Sequence, residues 1–163
     1  MRVFEASDIV GFAVRIEENG ANFYKYAEQI AGQEEVKQLF TQLAADELAH
    51  KKVFEAIFAE IEKFSLPESY EGEYCSYLRD YVDNNIIFTK EKMDKELSHV
   101  KDTLSALDFA IKRELDSVFY YNEIKRFVVP AQHSILDQII NEERKHFTRL
   151  SEAKQRYSAC KED

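Results

Sequence analysis

Glu47-Leu48-Ala49-His50 and Glu143-Arg144-Lys145-His146 each set a carboxylate three residues before an imidazole. On a helix that spacing turns both side chains to one face, where they can grip the same cation. The spacing alone is a weak signal, because Glu96-Leu97-Ser98-His99 has it too. Repetition singles out the first two. Phe12-Ala13-Val14-Arg15-Ile16-Glu17 resembles Phe109-Ala110-Ile111-Lys112-Arg113-Glu114. Phe23-Tyr24 then follows in one copy and Tyr120-Tyr121 in the other, at the same distance from the glutamate. Asp46 to His50 and Glu142 to His146 make a second match, at an offset one residue different. The chain reads as two helix pairs related by an internal repeat. Each copy supplies a lone glutamate and a Glu-x-x-His, whereas 96–99 has no counterpart and is expected to be ordinary surface.

The elements that must position these groups are helices. Only four Gly and two Pro punctuate 163 residues, too few for the turns of a sandwich or a doubly wound sheet. Apolar residues recur at helical steps over long stretches. They predict helices over about 8–31, 34–64, 103–128 and 130–157. Ser7 is expected to cap the first helix and Gly32 to follow its end. Pro130 separates the third helix from the fourth, whose first turn tolerates it. Residues 65–72 read as loop, 73–100 as a less cleanly amphipathic connection, and 158–163 as a fraying tail. A helix of about 28 residues is about 42 Å long at 1.5 Å per residue. The connection is long enough to return along the whole bundle, so the second and third helices can run parallel. The expected fold is all-α, a four-helix bundle with one long crossover between helices 2 and 3, as one domain over residues 1–163.

Each helix carries an apolar stripe interrupted near its middle. The second reads Val36, Phe40, Leu43, Glu47, His50, Phe54, Ile57, and the third Leu107, Ala110, Glu114, Ser117, Tyr121, Ile124. On the first the stripe is Ala13, Glu17, Gly20, Tyr24, Ala27, and on the fourth Leu136, Ile139, Glu143, His146, Leu150. Glu17, Glu47, His50, Glu114, Glu143 and His146 therefore point into one core. Unpaired ionised carboxylates there cost several kcal/mol each, and their mutual repulsion adds to it. Two divalent cations would neutralise the four carboxylates, with two neutral imidazoles completing the coordination. Oxygen and imidazole ligands suit iron or manganese.

Other residues have plainer readings. Phe12, Phe23, Phe40, Phe54, Phe109 and Phe119 are expected to be core. Tyr24 and Tyr121 face inward two turns past Glu17 and Glu114, and their hydroxyls need partners: either a ligand carboxylate or simple packing. Glu18, Asp46 and Glu142 adjoin ligands in sequence but point elsewhere, to solvent or to an outer contact. His133 reads as solvated. Cys75 and Cys160 form no C-x-x-C and are expected to be free thiols in a reducing cytoplasm. The start of the chain lacks a signal-peptide pattern, and no apolar run nears the length that spans a bilayer. With a net charge of -9, duplex nucleic acid and anionic membranes are poor partners.

In these residues the chain resembles the rubrerythrin-like branch of the ferritin-like superfamily. The resemblance rests on Glu17 with Phe23-Tyr24, Glu47-x-x-His50, Glu114 with Tyr120-Tyr121, and Glu143-x-x-His146, over about 8–64 and 103–157. It implies a ferritin-like bundle with two iron ions, manganese being the alternative. Glu47 and Glu143 would bridge the metals, Glu17 and His50 would complete one, and Glu114 and His146 the other. Typical members also carry a rubredoxin domain with paired C-x-x-C motifs, which this sequence lacks, so an external electron donor such as a rubredoxin is implied. They place an extra glutamate where this chain has Ser117, matched by Gly20 on the first helix. Those small residues leave room beside the metals, and the remaining ligand set is closer to that of bacterioferritins. The implied function is a di-iron oxidoreductase reducing hydrogen peroxide or dioxygen, with iron oxidation or storage as the alternative. A homodimer is the expected assembly.

Overall fold

A computed structural model describes residues 6–60, 77 and 95–160, with only the backbone described for 6–10 and residue 127. Four helices dominate it: α1 (Ala6–Ile30), α2 (Glu34–Glu60), α3 (Thr103–Ile124) and α4 (His133–Ala159). Each buries the stripe its sequence predicts, because only that face is apolar along its whole length. On α2 the buried set is Val36, Phe40, Leu43, Ala44, Glu47, His50, Phe54 and Ile57.

Helix ends differ from expectation in informative ways. Ser7 lies inside α1, which already includes Ala6, so it does not cap it. Gly32 follows α1 but takes no left-handed conformation. Its N–H donates instead to the Thr103 hydroxyl at 2.9 Å, tying the tip of the α1–α2 hairpin to the start of α3. That start is held by a capping box, in which the Asp102 carboxylate accepts from Ser105 N–H and the Ser105 hydroxyl accepts from Asp102 N–H. At its other end α3 stops at Ile124 and tightens into the 3₁₀ turn Lys125–Phe127. Val129, forced from helical geometry by Pro130, is extended at ψ 145°. Pro130–Gln132 form a second 3₁₀ turn before α4 begins. His133 is half-buried and lies 3.2 Å from the Val128 carbonyl oxygen through Nε2, so its ring pins this junction rather than facing solvent. The loop expected at 65–72, the connection between 73 and 94, Cys75 and residues 161–163 lie outside the described residues, apart from Tyr77. Cys160 is an exposed free thiol.

Contacts between helices run in opposing register. Glu60 of α2 meets Gln132, just before α4, and Glu35 of α2 meets Arg156 of α4. Lys125, just past α3, meets Asp137 of α4, and Asp108 of α3 meets Lys154 of α4. Both pairings are antiparallel, so α2 and α3 run parallel. Two apolar clusters fill the interior. One gathers Ala13, Ile16, Phe54, Tyr121, Ile124 and Leu136; the other gathers Tyr24, Phe40, Leu43, Leu107, Ala110 and Leu150. The six polar residues form a layer between them. Phe119 is 46% exposed, unlike the other phenylalanines assigned to the core. It sits on the flank of α3, beside the inward positions Ser117 and Tyr121, and Tyr120 is buried in its place. No helix among the described residues is long and apolar enough to cross a membrane.

Candidate metal centre

Glu17 on α1, Glu47 and His50 on α2, Glu114 on α3, and Glu143 and His146 on α4 are all buried. All six meet at mid-bundle, as the sequence predicts. Two groups of four emerge, each with ligand atoms within 4.8 Å of one another: Glu17, Glu47, His50 and Glu143, and Glu47, Glu114, Glu143 and His146. Glu47 and Glu143 belong to both. The imidazoles lie face to face, with ring centroids 5.7 Å apart. Glu96 and His99 stay outside.

The hydrogen bonds show what the layer lacks. His50 Nδ1 lies 2.8 Å from Glu143 Oε1 and 3.6 Å from Glu17 Oε2. Yet none of these three atoms has an aligned hydrogen-bond partner. The same holds for Glu47 Oε1, 3.5 Å from His146 Nδ1. Buried polar atoms without partners are costly and rare. Here they converge on shared points, each bordered by carboxylate oxygen and imidazole nitrogen. That is the donor set for hard-to-borderline divalent ions such as iron or manganese, and the residues fit two of them.

Electrostatics give the same picture. Burial, reinforced by Glu143 and Glu114, pushes the Glu47 carboxyl up to about 8. Burial and Glu143 raise Glu114 to about 8 as well. Burial, then Glu47 and Glu143, lifts Glu17 well above the carboxylate range. Burial also opposes charge on His50, but Glu143 and Glu17 override it and hold the ring protonated up to about 12. His146 is raised in the same way by Glu114, Glu143 and Glu47. Only Glu143 moves down, because contacts with both imidazoles outweigh its burial. Without cations the layer therefore recruits protons in their place.

Outer contacts brace the ligands across the repeat. The Tyr24 hydroxyl donates to Glu114, and the Tyr121 hydroxyl to Glu17, so each tyrosine serves the glutamate of the other half. His50 Nε2 meets Glu142 at 2.6 Å, and His146 Nε2 meets Asp46 at 3.4 Å. Such contacts fix which imidazole nitrogen faces a metal and raise its basicity. The sequence left the roles of Asp46 and Glu142 open. A usable signal was there, since both copies put an acidic residue immediately before the shared glutamate. Glu18 points outward to Lys51 at 2.9 Å.

Gly20 is a close approach. A Cβ there would lie 2.6 Å from Glu47 Oε2 and 3.3 Å from its Cδ. Gly20→Ala is expected to displace the Glu47 carboxylate and weaken iron binding at least about tenfold, the scale of a misaligned ligand contact. The metal-free fold should hold or gain up to about 1 kcal/mol, because alanine favours a helix interior. Iron titration beside melting of the metal-free protein checks both halves, and unchanged iron affinity would mean that Glu47 is not held in place by this contact.

Comparisons with known proteins agree with this centre. A family model described as Rubrerythrin matches residues 8–154. A crystal structure of a ferritin-like diiron-carboxylate protein from Thermotoga maritima superposes with a TM-score of 0.64 at 26% identity, covering 95% of this chain and 97% of that one. The search of curated proteins returned no match.

Proposed function

This chain belongs to the rubrerythrin family, its fold is the ferritin-like bundle, and on that premise we propose that it is a di-iron oxidoreductase. Its substrate would be hydrogen peroxide or dioxygen, with electrons from a separate donor protein such as a rubredoxin. Glu47 and Glu143 would bridge two irons, Glu17 and His50 completing one and Glu114 and His146 the other. Bound there, iron would supply one-electron redox capacity and Lewis acidity.

The chain's own residues do the rest. Two apolar clusters above and below the layer keep bulk water out. Tyr24 and Tyr121 hold Glu114 and Glu17 in place, while Asp46 and Glu142 orient the two imidazoles. The observation that carries the proposal is a small cavity of about 20 Å³ against the cluster, bordered by Gly20, Ser117, Glu47 and Glu114. A site of that size takes only a small molecule of about two or three heavy atoms, a range that includes dioxygen and peroxide. The small side chains at 20 and 117 are what leave it open.

Iron oxidation for storage is the second reading. It is favoured by Ser117, which supplies no further carboxylate to a ligand set of four glutamates and two histidines. Stopped-flow oxidation, run beside iron-loading stoichiometry, separates the two. An oxidoreductase should consume about one equivalent of oxidant rapidly and cycle when given reduced rubredoxin. Ser117→Leu should slow that oxidation at least about tenfold while both irons stay bound, because leucine fills the cavity without removing a ligand. Loading of many irons per chain into a large shell, with no donor-dependent oxidant consumption, would establish storage instead.

A further inference from the structure

Arg113 is the one cationic side chain among the described residues that border the cavity beside the cluster. It precedes Glu114 on α3, and two contacts fix its guanidinium. Nη2 lies 2.9 Å from Asp116 Oδ2, and the group stacks over the Phe109 ring with 5.2 Å to the centroid. Nε and Nη1 are buried and have no acceptor among the described residues. The side chain is half-buried, and leaving two of its charged donors buried without an acceptor is costly. Arg113 shares the lining of this cavity with Glu47 and Glu114.

We propose that Arg113 binds a small anion in this cavity. Nε–H and Nη1–H would grip one end of an anion of the hydroperoxide or azide class, while its other end reaches the metals. The proposal rests on reading the cluster as a dimetal centre. Glu47 and Glu114 also border the cavity, and when ionised they repel an anion unless cations neutralise them. Arg113 then tips a pocket that would admit any small molecule toward negatively charged ones. A guanidinium suits this role because it cannot lose its proton and its donors are fixed in a plane.

The test uses azide as the probe on full-length protein loaded with two irons, followed by its charge-transfer absorption. Arg113→Gln should bind azide at least about tenfold more weakly than wild type, the worth of one hydrogen bond to a charged group, with iron content unchanged. Nitric oxide, which is neutral, should bind the diferrous forms of both proteins equally. Arg113→Lys, which keeps a cation near Asp116, covers the case where glutamine is not tolerated by the fold, and should weaken azide by a smaller factor. Wild-type azide affinity in whichever variant folds with two irons overturns the proposal, as does equal weakening of azide and nitric oxide. Absence of bound iron in the wild type would instead overturn the dimetal reading on which it rests.

Discussion

Glu47→Ala or Glu143→Ala is expected to cut bound iron from about two per chain to well below one. Glu17→Ala or Glu114→Ala should leave close to one. The contrast follows from geometry, because Glu47 and Glu143 belong to both four-residue groups whereas Glu17 and Glu114 belong to one each. Losing a shared carboxylate removes a ligand from both positions and leaves two cations without the anion between them. Losing an unshared one leaves the other group intact. Glu96→Ala and His99→Ala should change nothing, since neither residue joins the cluster. Metal analysis of variants shown to be folded by circular dichroism is the measurement. Equal loss in all four glutamate variants would remove the distinction between shared and unshared ligands, and loss in the 96 or 99 variants would overturn the ligand assignment.

Removing the metals should lower the melting temperature by roughly 5–10 °C. Ligand present at about 100 times its dissociation constant stabilises by about 2.7 kcal/mol, and about 1 kcal/mol moves the midpoint of a chain of this size by roughly 2–4 °C. The gap should widen with pH, and its sign can be worked out. Glu47 and Glu114 titrate at an ordinary 4.5 when unfolded and at about 8 in the metal-free fold. Between those values the folded state binds more protons than the unfolded one, so metal-free stability falls as pH rises. His50 acts in the same direction, its contribution being full below 6.5 and fading toward about 12. Glu143 opposes them only below pH 4.5, where its lowered value matters. From pH 5 to 8 the metal-free protein should therefore lose at least a few degrees. The iron-loaded protein should lose less, because cations stand where the protons were. Proton release on iron binding, read from the buffer dependence of calorimetric heats, should accompany it. A metal-free melting temperature that rises from pH 5 to 8, or chelation without effect, would contradict the buried centre.

Much of this was legible in the sequence because periodicity and repetition are local. A step of three or four residues decides a helix face wherever the helix later packs. Glu17, Glu47, His50, Glu114, Glu143 and His146 were assigned to inward faces on that ground, and all six are buried. The length of the connection allowed α2 and α3 to run parallel, and the antiparallel contacts of each with α4 show that they do. Helix ends were less legible. Gly32 lacks the left-handed turn that its position suggested, because Thr103, seventy-one residues away, satisfies its N–H.

The relations between faces were decided by tertiary structure. Periodicity put Tyr24 and Tyr121 inside, but only the antiparallel register of α1 against α3 carries each hydroxyl to the glutamate of the opposite repeat. The approach of α1 to α2 at Gly20 sets how little room Glu47 has, a distance that no spacing rule contains. Arg113 belonged to the repeat as a match for Ile16, and both residues border the same cavity. An apolar side chain on one half thus faces a cation on the other. A single helix specifies which groups point inward, and the meeting of four helices specifies which of those groups touch.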